Sequence, residues 1–114
     1  MGAVIEVTKE NFQEHVRHGT VLVDVWGPSC KPCLALMPHV ERLAAECDGL
    51  TVIKLEAPKA RRLCMELKVM GLPAFLLFRD GTEVGRLARP EISPQELREW
   101  LDGLLEGGDG DASR

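Results

Sequence analysis

Cys30-Lys31-Pro32-Cys33 sets two thiols three residues apart in a chain that has four cysteines. At that spacing two cysteines can close a small disulfide or supply half of a zinc site. Their surroundings separate the two outcomes. Upstream, Val21-Leu22-Val23-Asp24-Val25-Trp26 is a β-branched run that ends at Gly27 and Pro28, the pattern of a buried strand entering a loop. Downstream, Leu34, Leu36, Met37, Val40, Leu43 and Ala44 repeat with a helical period. The pair therefore lies at the mouth of a helix that follows a strand, a setting that points to redox chemistry. The zinc alternative would draw on His15 and His18, whose local spacing is compatible, but the chain has no second Cys-x-x-Cys.

At a helix mouth, unpaired backbone N–H groups and the positive end of the helix dipole stabilise a thiolate. Cys30 is thus the expected nucleophile, attacking a substrate disulfide to form a mixed disulfide, and Cys33 is the expected resolving thiol. One turn inside the helix, Cys33 should be the more buried of the two and need help to lose its proton. Asp24, an acid in an otherwise apolar strand, is the candidate base; the competing reading is a buried acid satisfied by a partner. Lys54 on the next strand is either that partner or a lysine at an exposed strand end. Trp26 reads as packing and Trp100 as core. Cys47 and Cys64 read as small hydrophobes in helices rather than as regulatory thiols.

The elements that must position these groups follow from period and punctuation. Ala3–Val7 reads as a first strand, and Lys9–Arg17, with Phe12 and Val16 four apart, as a first helix closed by Gly19. The Val21–Trp26 strand leads into a helix over Cys33–Cys47, which Pro38 should kink. Thr51–Leu55 is the next strand, parallel to its predecessor because a helix lies between them. Lys59–Lys68 suggests a third helix. Asp80-Gly81 joins Phe75–Arg79 to Glu83–Leu87 as an antiparallel hairpin. Ser93-Pro94-Gln95-Glu96 opens a last helix with a capping box, and its stripe is Leu97, Trp100, Leu101 and Leu104. The order β-α-β-α-β-α-β-β-α is an α/β architecture with a mixed sheet. Residues 1–105 form one domain, and the glycine-rich, acidic stretch 106–114 reads as a flexible tail.

Composition narrows the class further. The 114 residues are 45% hydrophobic and 28% charged, the balance of an ordinary globular domain. The net charge of −4 and the absence of a basic stripe argue against a nucleic-acid partner. No apolar run approaches the ~18 residues of a membrane span, and Met1-Gly2-Ala3-Val4-Ile5-Glu6 lacks a secretory pattern, so the expectation is a cytoplasmic protein without membrane partners. In that reducing compartment four cysteines do not form a disulfide scaffold, and reactivity becomes the question. A monomer is the default.

Val23-Asp24-Val25-Trp26-Gly27-Pro28-Ser29-Cys30-Lys31-Pro32-Cys33, followed by Pro38, Lys54-Leu55, Gly71-Leu72-Pro73 and Asp80-Gly81, closely resembles the thioredoxin family. The likeness extends over roughly residues 3–105. It implies a thioredoxin fold, a central mixed five-stranded sheet flanked by four helices, and a protein-disulfide reductase cycling Cys30 and Cys33 between dithiol and disulfide. It implies no cofactor beyond that redox-active disulfide. Its partners would be disulfide-bearing protein substrates and a thioredoxin reductase or equivalent electron donor, in cell redox homeostasis. By the same likeness Asp24 and Lys54 match the family's buried pair, and Pro73 takes the cis form and presents backbone to extended substrates. Trp26, Lys31, Pro32, Lys54 and Pro73 would support the active site; Trp26, Ser29, Leu72, Pro73 and Arg89 would form the substrate surface.

Departures from the family pattern fall on that surface. Ser29 stands in place of a tryptophan, Ala74 in place of the threonine after Pro73, and Arg89-Pro90 in place of a Val-Gly pair. Lys31 replaces glycine between the cysteines, and its charge favours the thiolate and a more oxidising pair. Two readings stay beside the general reductase: an oxidoreductase narrowed to particular partners by the altered rim, and a non-redox binding module on the same fold.

Overall fold

A computed structural model describes residues 3–107. Its strands are β1 (Ile5–Val7), β2 (Thr20–Trp26), β3 (Leu50–Glu56), β4 (Ala74–Arg79) and β5 (Thr82–Ala88). Its helices are α1 (Phe12–Val16), α2 (Lys31–Glu46), α3 (Arg61–Glu66) and α4 (Pro94–Gly107), with a 3₁₀ turn at Ala57–Lys59. The sheet order is β1-β3-β2-β4-β5, with β1, β3 and β2 parallel and β4 and β5 antiparallel. This is the expected mixed sheet. β2 is central, and its apolar residues are buried on both faces, which explains its nearly unbroken apolar sequence.

Strand alternation sends β2 side chains to two cores. Val21, Val23 and Val25 join Phe12, Val16 and Leu63 on the α1 and α3 side. Leu22 joins Leu36, Val40, Phe75 and Leu101 on the α2 and α4 side. Asp24 has the parity of Leu22 and therefore points toward α2. The β2-α2-β3 crossover puts the N-terminus of α2 at the end of the central strand, which is where the two thiols stand.

Most element boundaries differ from the periodicity by a residue or two, and those of α1, α3 and β5 have a local cause. α1 begins only at Phe12, because Thr8 and Asn11 hold each other in a turn: the Thr8 amide donates to Asn11 Oδ1 at 2.7 Å, and the Asn11 amide donates to Thr8 Oγ1 at 3.3 Å. α3 is shorter than Lys59–Lys68, since Ala60, at φ −142°, separates it from the 3₁₀ turn. It ends in a Schellman motif, with the Val69 amide donating to the Cys64 carbonyl and the Lys68 amide to the Met65 carbonyl. Lys68 fills the left-handed position, φ 60°, that glycine normally takes. β5 is longer than Glu83–Leu87 and carries a register shift opposite Leu77/Phe78.

α2 continues through Pro38 as one helix. The hairpin and the start of the last helix match in place. Asp80 and Gly81 both have positive φ, as a two-residue hairpin turn of type I′ requires. Ser93 Oγ accepts the Glu96 amide at 3.0 Å. α4 runs to Gly107 and so takes in the first two residues of the stretch assigned to the tail; the rest of that stretch lies outside the described residues. Among the described residues no helix is long and apolar enough to cross a membrane.

Candidate active site

The loop leaving β2 turns at Gly27, whose carbonyl accepts the Cys30 amide at 3.1 Å. Cys30 then caps α2 in an extended conformation, and its Sγ accepts the Cys33 amide at 3.2 Å. Pro32, which has no N–H to leave unsatisfied, lies in the first turn. Cys30 and Cys33 are joined in a disulfide with their Cα atoms 5.3 Å apart. Cys30 is half-buried whereas Cys33 is 1% exposed, so Cys30 presents the accessible sulfur. Once the bond is reduced, the same amide and the helix dipole favour negative charge on Cys30. No acidic side chain lies in the first turn to oppose this, and exposed Lys31 adds a cation.

Behind the pair lies Asp24. It is 1% exposed and is the one charged residue in the buried set, and neither carboxylate oxygen has a hydrogen-bond partner among the described residues. Burial pushes its carboxyl up from 3.8 to about 7, and the positive charge of Lys54 opposes the rise. Such a group changes charge near neutrality, where a thiol proton must be moved. Cys33, Leu36, Val40 and Leu43, spaced as one face of α2, are buried against the sheet face toward which Asp24 points. Asp24 and Cys33 therefore share the layer between β2 and α2.

Lys54 is the register partner of Asp24 on β3 and is half-buried, not at an exposed strand end. Its Nζ lies 5.4 Å from the centre of the Trp26 ring. Sequence reasoning treated Trp26 as packing and missed this contact; the signal was the parallel pairing of β2 with β3, which puts Lys54 beside the strand that ends at Trp26. The Trp26 indole N–H is buried without a partner among the described residues.

Pro73 immediately precedes β4 and follows a cis Leu72–Pro73 bond. Leu72 closes on the loop that leads to Cys30: a Cβ built on Gly27 would stand 3.3 Å from Leu72 Cδ1. Ser29 and Arg89 are exposed, and Arg89 is ion-paired with Glu96 of α4. Ala74 does not belong to the rim. It is fully buried in the core on the α1 and α3 side, because strand alternation turns it away from the α2 face.

Cys64 is buried and Cys47 half-buried, and both pack against the cores. Burial pushes both thiols above their ordinary range, which disfavours their thiolates. Trp100 is half-buried against the α2-side core. Among the described residues no cluster of three or more His, Cys, Asp or Glu could hold a metal ion. His15 sits on α1, across the sheet from α2, and its Nδ1 meets the Asn11 carbonyl.

A family model described as Thioredoxin matches residues 3–102. A thioredoxin of Peptoclostridium acidaminophilum is 36% identical over 105 residues, covering 90% of this chain and 92% of that protein. A thioredoxin of Acetoanaerobium sticklandii is 36% identical over 93 residues, covering 79% and 89%. Among solved structures, spinach chloroplast thioredoxin f superposes with a TM-score of 0.81 at 27% identity, covering 90% of this chain and 93% of that one. A Malassezia sympodialis thioredoxin shares the fold, with a TM-score of 0.78 at 20% identity over 90% of each chain.

Proposed function

The chain belongs to the thioredoxin family and is a protein thiol–disulfide oxidoreductase, and from that premise we propose a reductase cycle with a fixed division of labour. The Cys30 thiolate attacks one sulfur of a substrate disulfide; that bond breaks, and the released thiolate takes a proton from water. A disulfide now joins Cys30 to the substrate. Cys33 then gives its proton to Asp24 and attacks Cys30 Sγ, the mixed disulfide breaks, and the second substrate sulfur leaves as a thiolate that takes a proton from water, Asp24 later returning its own proton to solvent. Two electrons have passed to the substrate and the Cys30–Cys33 disulfide has formed. A thioredoxin reductase or equivalent donor returns the two electrons.

The observation that carries this reading is the pairing of an accessible Cys30 at the helix cap with a buried Cys33 that shares its layer with an unpartnered Asp24. Lys54 tempers the charge of Asp24, and Trp26 holds Lys54 near it. Lys31 and Pro32 support the cap, while Trp26, Ser29, Leu72, Pro73 and Arg89 form the surface a substrate meets. The working unit is the domain of residues 1–105, acting as a monomer in the cytoplasm with neither nucleic acid nor membrane as partner.

Equilibrating the protein in graded dithiol buffers, alkylating free thiols and mapping them by mass spectrometry tests the couple. Cys30 and Cys33 should oxidise together as one two-electron step, with Cys47 and Cys64 remaining thiols that alkylate once the quenched protein is denatured. Cys30→Ser should abolish turnover of a model disulfide. Undiminished turnover would reject the mechanism, and biological function retained by a double-serine variant would establish a binding module instead.

A further inference from the structure

Beside Pro73, Leu72 is shared by two hollows of about 290 Å³ each. One is lined by Lys68, Met70 and Arg89, with Gly71, Ala88 and Pro90 completing it. The other includes Arg61, Met65 and Val69. Joined at Leu72, they form a furrow beside the Gly27 loop that leads to Cys30. Met70 is 91% exposed and Met65 73%, the two most exposed of the large hydrophobic side chains. Exposed methionines are flexible and polarisable, suited to apolar partners of varied shape.

The charged side chains that line the furrow have one sign. Its linings hold Arg61, Lys68 and Arg89 and, among the described residues, no carboxylate, although the chain carries a net charge of −4. Arg89 shares its charge with Glu96, which fixes it at the furrow's edge. Glu91 lines a different hollow, beside Pro32, Ala35 and Ile92. The furrow's wall is also built in advance: Arg86 donates to the carbonyls of Leu67 at 2.7 Å and Lys68 at 2.9 Å, while Glu83 neutralises its charge. A preformed, apolar-floored channel with cations at its edges complements a chain carrying carboxylates around an apolar side chain.

We propose that this furrow selects protein disulfides whose chain beside the reactive cysteine is acidic and bears an apolar residue. The carboxylates meet Arg61 and Lys68, and the apolar side chain lies between Met65 and Met70 over Leu72. This selection rests on the reading that Cys30 attacks the substrate.

Two peptides, each closed by one intramolecular disulfide, test it: one carries Leu flanked by Glu beside the reactive cysteine, the other Leu flanked by Lys. Hydroxyethyl disulfide, which is small and uncharged, reports the redox reading separately; failure to reduce it would overturn that reading rather than the furrow. At about 50 mM salt the acidic peptide should have a kcat/KM about tenfold above its basic counterpart, falling toward parity at about 0.5 M salt as the charges are screened. Arg61→Gln combined with Lys68→Asn, the latter chosen because asparagine tolerates the left-handed backbone at Lys68, should bring the two peptides within about twofold. Equal rates in the wild type at low salt would overturn the proposal. So would an undiminished preference in the double variant, since recognition would then lie elsewhere.

Discussion

Replacing Asp24 by asparagine is expected to stabilise the oxidised protein at neutral and alkaline pH while changing little in acid. The buried carboxyl keeps its proton up to about pH 7, whereas an unfolded chain releases it near 3.8. Between those values the folded state binds the extra proton, so the stability this group allows is full below about pH 4 and falls as pH rises through about 7. Over a span of roughly three pH units, at about 1.4 kcal/mol for each, the wild type loses about 4 kcal/mol that an uncharged amide of the same shape does not lose. Burial is nearly complete, so solvent screening does little to reduce this figure. Asparagine mimics the protonated acid, including its lack of hydrogen-bond partners, so at pH 4 the two proteins should agree within about 1 kcal/mol. Guanidinium unfolding of both proteins at pH 4, 5.5, 7 and 8.5, with the disulfide kept intact, gives the difference directly. The gap should open to about 4 kcal/mol, or roughly 15 °C in Tm, by pH 8.5. A difference independent of pH would show that Asp24 enters the folded state already charged and would refute the reasoning.

Two further outcomes follow from neighbouring groups. Lys54→Met removes the charge that holds the Asp24 pKa down, so the pH profile for release of a Cys30 mixed disulfide should move to higher pH in stopped-flow measurements; an unmoved profile would separate Lys54 from the proton transfer. Ser93→Ala deletes the acceptor for the Glu96 amide at the start of α4 and should cost about 1 kcal/mol in denaturant unfolding, with turnover of a small disulfide unchanged.

β2 and α2 were legible because both are buried enough for their apolar periods to show through, and the cysteine pair falls at their junction. Asp24 stood out for the same reason, as an acid where both faces of a strand had to be covered. The end of α3 was not legible: Lys68 occupies a left-handed position without glycine, and the backbone bonds that close the helix leave no mark on residue type. Ala74 was misplaced because proximity to Pro73 in the chain says nothing of which sheet face a side chain takes. The furrow joins residues 57–72 to 88–90, and Met65 and Met70 look unremarkable until their exposure is seen.

The central claim, that Cys30 attacks and Cys33 resolves, is tested most directly by trapping. Cys33→Ser, incubated reduced with a disulfide peptide and quenched by alkylation, should accumulate a peptide mixed disulfide mapped by mass spectrometry to Cys30, while Cys30→Ser should accumulate none. An adduct on Cys47 or Cys64, or equal trapping in both variants, would contradict the assignment.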